Sequence, residues 1–258
     1  IQSNQNDQHG GQSVPNFDYG MAPGVKKAYK RLYVTNLGKM LDFLEDVEDG
    51  VERMKALEGK IEHEYGVFPC MAWDNNYAEL ELAELKKIVP EAEAMKMQDR
   101  SRKFADKEIR RKTYQAMEAF IHNLNTMHSR AGAQVPFSSI NYGTDTSPEG
   151  RLVMESVMLA TEAGLGNGET PIFPIQIFKV KEGVNYNPED PNYDLFKLAC
   201  KVSAKRLFPN FSFLDAPFNK QYYIEGKPET ECAYMGCRTR VIGNVYDPTR
   251  EIVFGRGN

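Results

Sequence analysis

Between about residue 25 and residue 130 the apolar side chains recur at steps of three and four. Tyr33, Leu37, Met40, Leu41, Leu44, Val47, Val51 and Met54 keep that step with Lys and Glu between them. The pattern predicts an amphipathic helix starting at about Pro23, or a helix pair broken near Gly50. A second helix is predicted over Asn76 to Val89 and stops before Pro90, whose ring and missing N–H oppose continuation. A third is predicted from about Arg102 to Arg130, with Met117, Phe120, Ile121, Leu124 and Met127 on one stripe and an end near Gly132. Residues 1 to 24 are polar and glycine-rich and read as loop.

Beyond Gly132 the period shortens. QVPFSSINYG reads as a short strand, and Ser147-Pro148 supplies an N-cap and a first-turn proline for a helix to about Glu162. Then come the β-rich IFPIQIFKV, a helix over Tyr193 to Leu207, and the strand FSFLD. RTRVIGNV and EIVFG add two more strand candidates. Strands separated by helices long enough to return the chain imply a parallel sheet with crossovers. The expected architecture is α/β: a helical first half, followed by part of an α/β sheet or barrel.

Composition narrows the partners. At 258 residues, with 41% apolar and 26% charged side chains, the chain can bury one large core or two modest ones. A formal net charge of −4 supplies no broad cationic field for a nucleic-acid backbone, so a nucleotide partner should be small and held in a pocket. No apolar run reaches the length of a spanning helix and IQSNQNDQHGGQS lacks the order of a signal peptide, so no membrane partner and a cytoplasmic location are expected. The four cysteines, Cys70, Cys200, Cys232 and Cys237, form no CxxC pair and read as free thiols, with no metal site in this chain.

Several motifs hold chemistry only weakly. Gly164-Leu-Gly166-Asn-Gly168-Glu-Thr170 has Glu169 where a phosphate loop needs Lys, and it follows a helix, so it reads as a helix C-cap and turn. His122 and His128 lie about 240° apart around a straight helix and cannot share one metal ion. Ser138, Ser139, Asn141 and Thr144 crowd the carboxyl end of a strand, where parallel folds place ligands, although capping before the next helix explains them too. VKKAYKR is most simply a solvated helix face, with a phosphate role open for Lys26 or Lys30. Cys200 sits beside Leu195, Leu198, Ala199 and Val202 and reads as a small core residue. Cys237 follows Gly236 and precedes Arg238 and Arg240, surroundings that suit an activated thiol or, equally, a buried structural one.

Five blocks carry a resemblance. GGQSVPNFDYGMAPGV, HNLNTMHSRAGAQVPFSSINYGTDTS, ATEAGLGNGETPIFPIQIFKVKEGVNYNP, FKLACKVSAKRLFPNFSFLDAPFN and AYMGCRTRVIGNVYDPTREIVFGRGN resemble the anaerobic, class III ribonucleoside-triphosphate reductases, a glycyl-radical enzyme family. The resemblance implies a ten-stranded α/β barrel with a finger loop inside it, preceded by a helical segment. On that basis residues 1–132 form the dimer and effector side, and residues 133–258 form a barrel segment with the finger loop. Cys237 resembles the finger-loop cysteine that bears a thiyl radical and removes the 3′ hydrogen of the ribose. Asn258 resembles the amide that orients the substrate, and Ser138, Ser139 and Asn141 become candidates for substrate binding. Where aerobic reductases place a glutamate two residues past the loop cysteine, this chain has Thr239, which implies formate as acid and reductant.

The same resemblance implies ATP or dNTP effectors near the first long helix, with Asp18 and Lys26 as candidates. It also implies a ribonucleoside triphosphate substrate, a homodimer and a radical-SAM activase. The glycyl radical, a four-cysteine zinc site and the family's second cysteine are expected outside these residues, so a catalytic fragment, inactive and poorly soluble by itself, is expected. The adjacent cysteines of pyruvate formate-lyase are missing, which disfavours that relative. A nucleotide-binding or dimerising module with a structural Cys237 is the reading of another class.

Overall fold

A computed structural model describes residues 11–127, 135–236 and 239–241. The order of elements is β1 (Gln12–Val14), α1 (Phe17–Glu45), α2 (Gly50–Tyr65), α3 (Asn75–Leu85), α4 (Glu91–Thr126), β2 (Ser138–Tyr142), α5 (Pro148–Ala163), β3 (Ile175–Val180), α6 (Tyr193–Arg206), β4 (Asn210–Phe213), a short α7 (Pro217–Lys220), a 3-10 turn (Pro228–Thr230), β5 (Ala233–Met235) and β6 (Thr239–Val241). They fall into two compact units, one of residues 1–22 with 113–258 and one of residues 23–112. His128, Cys237, the EIVFG strand and Asn258 lie outside the described residues.

The first unit is built on a four-stranded sheet in the order β1-β2-β3-β4, and every pair is parallel, as the alternation of strands and helices predicts. Alternate residues on each strand point to opposite faces. On the face toward the helices, Tyr142 pairs with Phe178 and Phe178 with Phe211 across the strands. There the Phe178 ring lies 6.2 Å from Phe196 of α6. Tyr142 donates from its hydroxyl to Gln176 Oε1 at 2.7 Å, and Gln176 Nε2 donates to Thr161 of α5 at 2.7 Å. Tyr142, Gln176 and Thr161 thus satisfy one another on this buried face. Ser147 caps α5, accepting from Gly150 N at 3.1 Å, with Pro148 at its first position. Gly164, with φ 86°, ends that helix, which matches the cap and turn reading of the glycine-rich loop.

The second unit is helical. Gly38 and Gly50 let α1 and α2 approach closely, since a Cβ on Gly50 would stand 2.4 Å from the Gly38 carbonyl oxygen. Buried Tyr33, Leu37 and Leu41 of α1 share the core with Met54 and Ile61 of α2 and Tyr77 and Leu85 of α3.

Five expectations need correction. Residues 11 to 24 are not loop, because Gln12–Val14 is the first strand of the sheet. Its polar residues hide it from a periodicity reading. The first helix begins at Phe17, with Pro23 inside it, because the Asn16 carbonyl accepts from Gly20 N at 2.9 Å and buried Phe17 stacks on Phe120 at 5.4 Å. The α3 helix closes at Leu85, and Pro90 instead introduces the next helix, its carbonyl accepting from Ala94 N at 2.9 Å. Consequently α4 starts at Glu91, well before Arg102. Its buried positions there, Ala94, Ser101 and Ala105, are too small or polar to mark a stripe, and Met97 is a single large apolar residue among them. Cys200 is exposed and not a core residue. It follows buried Ala199, and one residue turns a helix by about 100°.

Candidate functional site

The other face of the sheet is polar where a core would be apolar. It presents Ser13, Ser139, Asn141, Lys179 and Ser212, and the antiparallel hairpin β5–β6 rests on its β1 and β2 side. Asn141, fully buried, faces Tyr234 of β5 with both ends of its amide. Its Nδ2 donates to the Tyr234 carbonyl at 2.8 Å, and its Oδ1 accepts from Tyr234 N at 2.8 Å. Ser13 Oγ donates to the same carbonyl at 2.9 Å. Ser139 Oγ accepts from Gly236 N at 3.1 Å. Gly236 has φ 62°, a conformation that strains other residues, and a Cβ there would also press on the Phe137 ring at 3.2 Å.

Met235 of β5 pairs with Thr239 of β6, and Cys237 follows Gly236 in the sequence. The thiol singled out in the sequence thus follows directly on a backbone held by three side chains of the sheet. Ser138 points to the helix face, where its buried Oγ has no hydrogen-bond partner among the described residues.

The base of the hairpin is fixed by charge. Lys179 and Glu231 are buried at 0% and 1% side-chain exposure, with Lys179 Nζ 3.2 Å from Glu231 Oε2. Lys179 also donates to Asn16, Lys181 Nζ stands 3.1 Å from Glu231 Oε1, and the Thr144 hydroxyl donates to Glu231 at 2.7 Å. Burial drives the Lys181 ammonium down, but its hydrogen bond to Tyr223 and the Glu231 charge more than offset this and raise it. Sequence reasoning missed Lys179 and Glu231. The available signal was a lysine inside the otherwise apolar strand IQIFKV, because an unpaired charge is rarely buried.

Beside this network, a cavity of about 590 Å³ at the carboxyl ends of β3 and β4 is lined by Lys181, Asp215, Lys220, Tyr223, Glu231 and Cys232 among others. Cys232 is buried, and that burial raises its thiol above the usual range against the opposing charges of Arg240 and Lys179. A protonated, buried thiol is a poor nucleophile.

Asp18 occupies the carboxyl end of β2. Its carboxylate accepts from the backbone N–H of Gly143 at 2.8 Å and of Thr144 and Asp145 at 3.1 Å each. Three consecutive amides of this kind form an anion-binding concavity, and here the chain fills it with its own side chain. Burial raises the Asp18 carboxyl, opposed by Lys179 and these amides.

Lys26 belongs to the helical unit. A cavity of about 560 Å³ there is lined by Lys26, Lys27, Lys30, Arg31, Lys55 and Phe68 among others. The Lys26 and Lys30 ammonium groups lie 4.9 and 5.6 Å from the Phe68 ring centre, and Lys30 also pairs with Glu62. Glu58, buried beside this cavity, is pushed up to about 9, first by burial and then by the neighbouring Glu81 carboxylate. Glu81 accepts from the hydroxyls of Tyr33 at 2.5 Å and Tyr77 at 2.8 Å and from Gln98 at 2.7 Å. Among the described residues no group of His, Cys, Asp and Glu could hold a metal ion, and no helix is long and apolar enough to cross a membrane.

Comparison with known proteins agrees with the resemblance. The family profile described as anaerobic ribonucleoside-triphosphate reductase matches residues 1–258. The chain is 33% identical over 173 residues to the anaerobic ribonucleoside-triphosphate reductase of Enterobacteria phage T4, an overlap of 67% of this chain and 27% of that protein. It is 32% identical over 151 residues to the Haemophilus influenzae protein of the same name, covering 58% of this chain and 20% of the relative. For the Escherichia coli protein the identity is 33% over 137 residues, covering 53% and 18%. The chain thus spans about a quarter or less of the length of these relatives, and by its match along the full sequence it belongs to the anaerobic ribonucleoside-triphosphate reductase family.

Proposed function

We propose that these residues form part of the catalytic barrel of a formate-dependent anaerobic reductase that converts ribonucleoside triphosphates to deoxyribonucleoside triphosphates, with Cys237 as its radical residue. The observation that carries this reading is the clamped hairpin: the polar sheet face holds Tyr234 and Gly236, immediately before Cys237, by four hydrogen bonds. A thiyl radical needs a sulfur held against one C–H bond, and a hairpin clamped to a rigid sheet face supplies that positioning.

In the proposed step the Cys237 sulfur takes the 3′ hydrogen, so that one S–H bond forms as the C3′–H bond breaks. The 2′ hydroxyl then takes up a proton and leaves as water, formate supplies two electrons and a hydrogen on becoming carbon dioxide, and the Cys237 thiol returns its hydrogen to C3′, which restores the thiyl radical. Asn258 orients the ribose. A glycine radical elsewhere in the complete gene product supplies the oxidising equivalent, after activation by a radical-SAM partner. The four parallel strands would be part of a ten-stranded barrel in a cytoplasmic homodimer.

The effectors, ATP or a dNTP, are proposed to occupy the groove of the helical unit. Five cationic side chains on one cavity suit a triphosphate, and Phe68 offers a ring for stacking. Lys26 serves that role, whereas the Asp18 carboxylate is fully engaged at the end of β2.

The test is Cys237→Ala in the complete gene product, assayed without oxygen in the presence of activase, formate, ATP and effector. We expect CTP reduction to fall by at least about a thousandfold, since no other group replaces a covalent or radical centre. Retained reduction would leave the chain as a nucleotide-binding or dimerising module with a structural Cys237.

A further inference from the structure

We infer that Asn141, with Ser13 and Ser139, is a positioning clamp that sets where Cys237 stands, acting on the hairpin and not on the substrate. The inference rests on the reading of Cys237 as the radical residue. Its basis is the way in which the clamp is made. Tyr234 is paired with Arg240 of β6 along one edge of β5. Its backbone N–H and carbonyl are both satisfied by side chains of the sheet. A primary amide presents a donor and an acceptor in one plane, so Asn141 stands in for the peptide of a neighbouring strand at this single residue.

Three contacts to one residue, Tyr234, fix the hairpin along its length as well as above the sheet. A fourth, at Gly236 N, fixes the residue before the thiol. A slip of one residue would send every side chain of β5 to its opposite face. The clamp is rigid because its own members are rigid. Ser139 and Asn141 are both fully buried and sit on β2, which is hydrogen-bonded to β1 on one side and β3 on the other. Asn141 Nδ2 is also within 3.3 Å of Ser13 Oγ and 3.4 Å of the Val14 carbonyl, so the amide can be oriented only one way round. A carboxylate of the same shape could still accept from Tyr234 N, but it would set a charged oxygen against two carbonyls.

Hydrogen transfer to a thiyl radical tolerates little error in distance, and a displacement of about 1 Å can cost on the order of a hundredfold in rate. Asn141→Asp is therefore expected to lower kcat for CTP reduction by about ten- to a hundredfold. KM for CTP should stay within about twofold, since a positioning residue alters the transition state and leaves ground-state binding alone. The isotope effect on kcat with 3′-deuterated CTP should rise as hydrogen transfer becomes limiting, while the electron-spin signal of the glycine radical keeps its amplitude.

An increase in KM at unchanged kcat would place Asn141 on the substrate and overturn the clamp, as would an unchanged kcat and isotope effect in a folded variant. Should Asn141→Asp fail to fold, Ser13→Ala removes one contact of the clamp and is expected to lower kcat by about threefold, with the same rise in isotope effect. No change in that variant would likewise overturn the proposal. Active Cys237→Ala protein, by contrast, would remove the reading beneath the clamp, whatever the Asn141 variants do.

Discussion

Both units bury charge, and they do it in opposite ways. The sheet unit buries opposite charges together: Glu231 lies between Lys179 and Lys181, and Thr144 supplies a further hydrogen bond. In the helical unit two carboxyl groups are buried together, one of them protonated. Glu58 and Glu81 share a core with Tyr33 and Tyr77, and burial with the Glu81 charge holds a proton on Glu58 up to about pH 9. The first arrangement fixes a backbone segment through ion pairs. The second stores a proton under a cavity lined by lysines. Pairing makes the sheet unit sensitive to loss of a partner, and crowding makes the helical unit sensitive to pH.

The most damaging way to break this contrast is Glu231→Gln. It leaves Lys179 as a buried cation without its counter-charge, which costs about 3–5 kcal/mol where a buried pair is broken. Chemical denaturation of the complete gene product should show that loss in the transition of the sheet unit. Because Glu231 lies two residues before β5, reductase activity should fall with it. A loss below about 1 kcal/mol would show that the pair is open to water.

The next test is pH. Since the folded value of Glu58 lies above its ordinary one of 4.5, the folded state keeps a proton that the unfolded chain releases. Its contribution to stability is complete below about pH 4.5 and is lost as the pH rises toward about 9. We expect the helical unit to melt about 5 °C lower at pH 9 than at pH 6, and Glu58→Gln to flatten that profile. A pH slope that survives the substitution would assign the proton elsewhere.

The smallest effect concerns the groove above. Replacing Lys26 and Lys30 together by Ala is expected to weaken dATP binding by about tenfold, or ~1.4 kcal/mol, with a smaller dependence on salt. Equilibrium dialysis over a range of ionic strength would measure both. Unchanged affinity would move the effectors to another surface.

How far the sequence could be read differs between the units for a related reason. The helix face of α1 was plain because Tyr33, Leu37 and Leu41 are large and apolar, and each is fully buried. The start of α4 was hidden, since Ala94, Ser101 and Ala105 fill tight positions with small side chains. In the sheet unit the strands β2, β3 and β4 and the capped helix α5 followed from period and turn chemistry. The strand β1 did not, because QSV has no pattern of its own and is a strand only through its pairing with β2. Ser139 and Asn141 stand out in the sequence as polar groups at a strand end. Their partners, Tyr234 and Gly236, lie some ninety residues away in the chain.

The sequence by itself determined the α/β class, the parallel order implied by alternating strands and helices, and the family through its long matching blocks. These rest on local period, on caps and turns, and on ordered strings of residues, all of which are written along the chain. Only the tertiary structure decided that Asp18 closes the anion site at the end of β2, that Lys179 and Glu231 are buried partners, and that Asn141 holds the strand leading to Cys237. Each of these depends on a hydrogen bond or an ion pair between residues distant in sequence, and such a contact leaves no periodic trace in either partner.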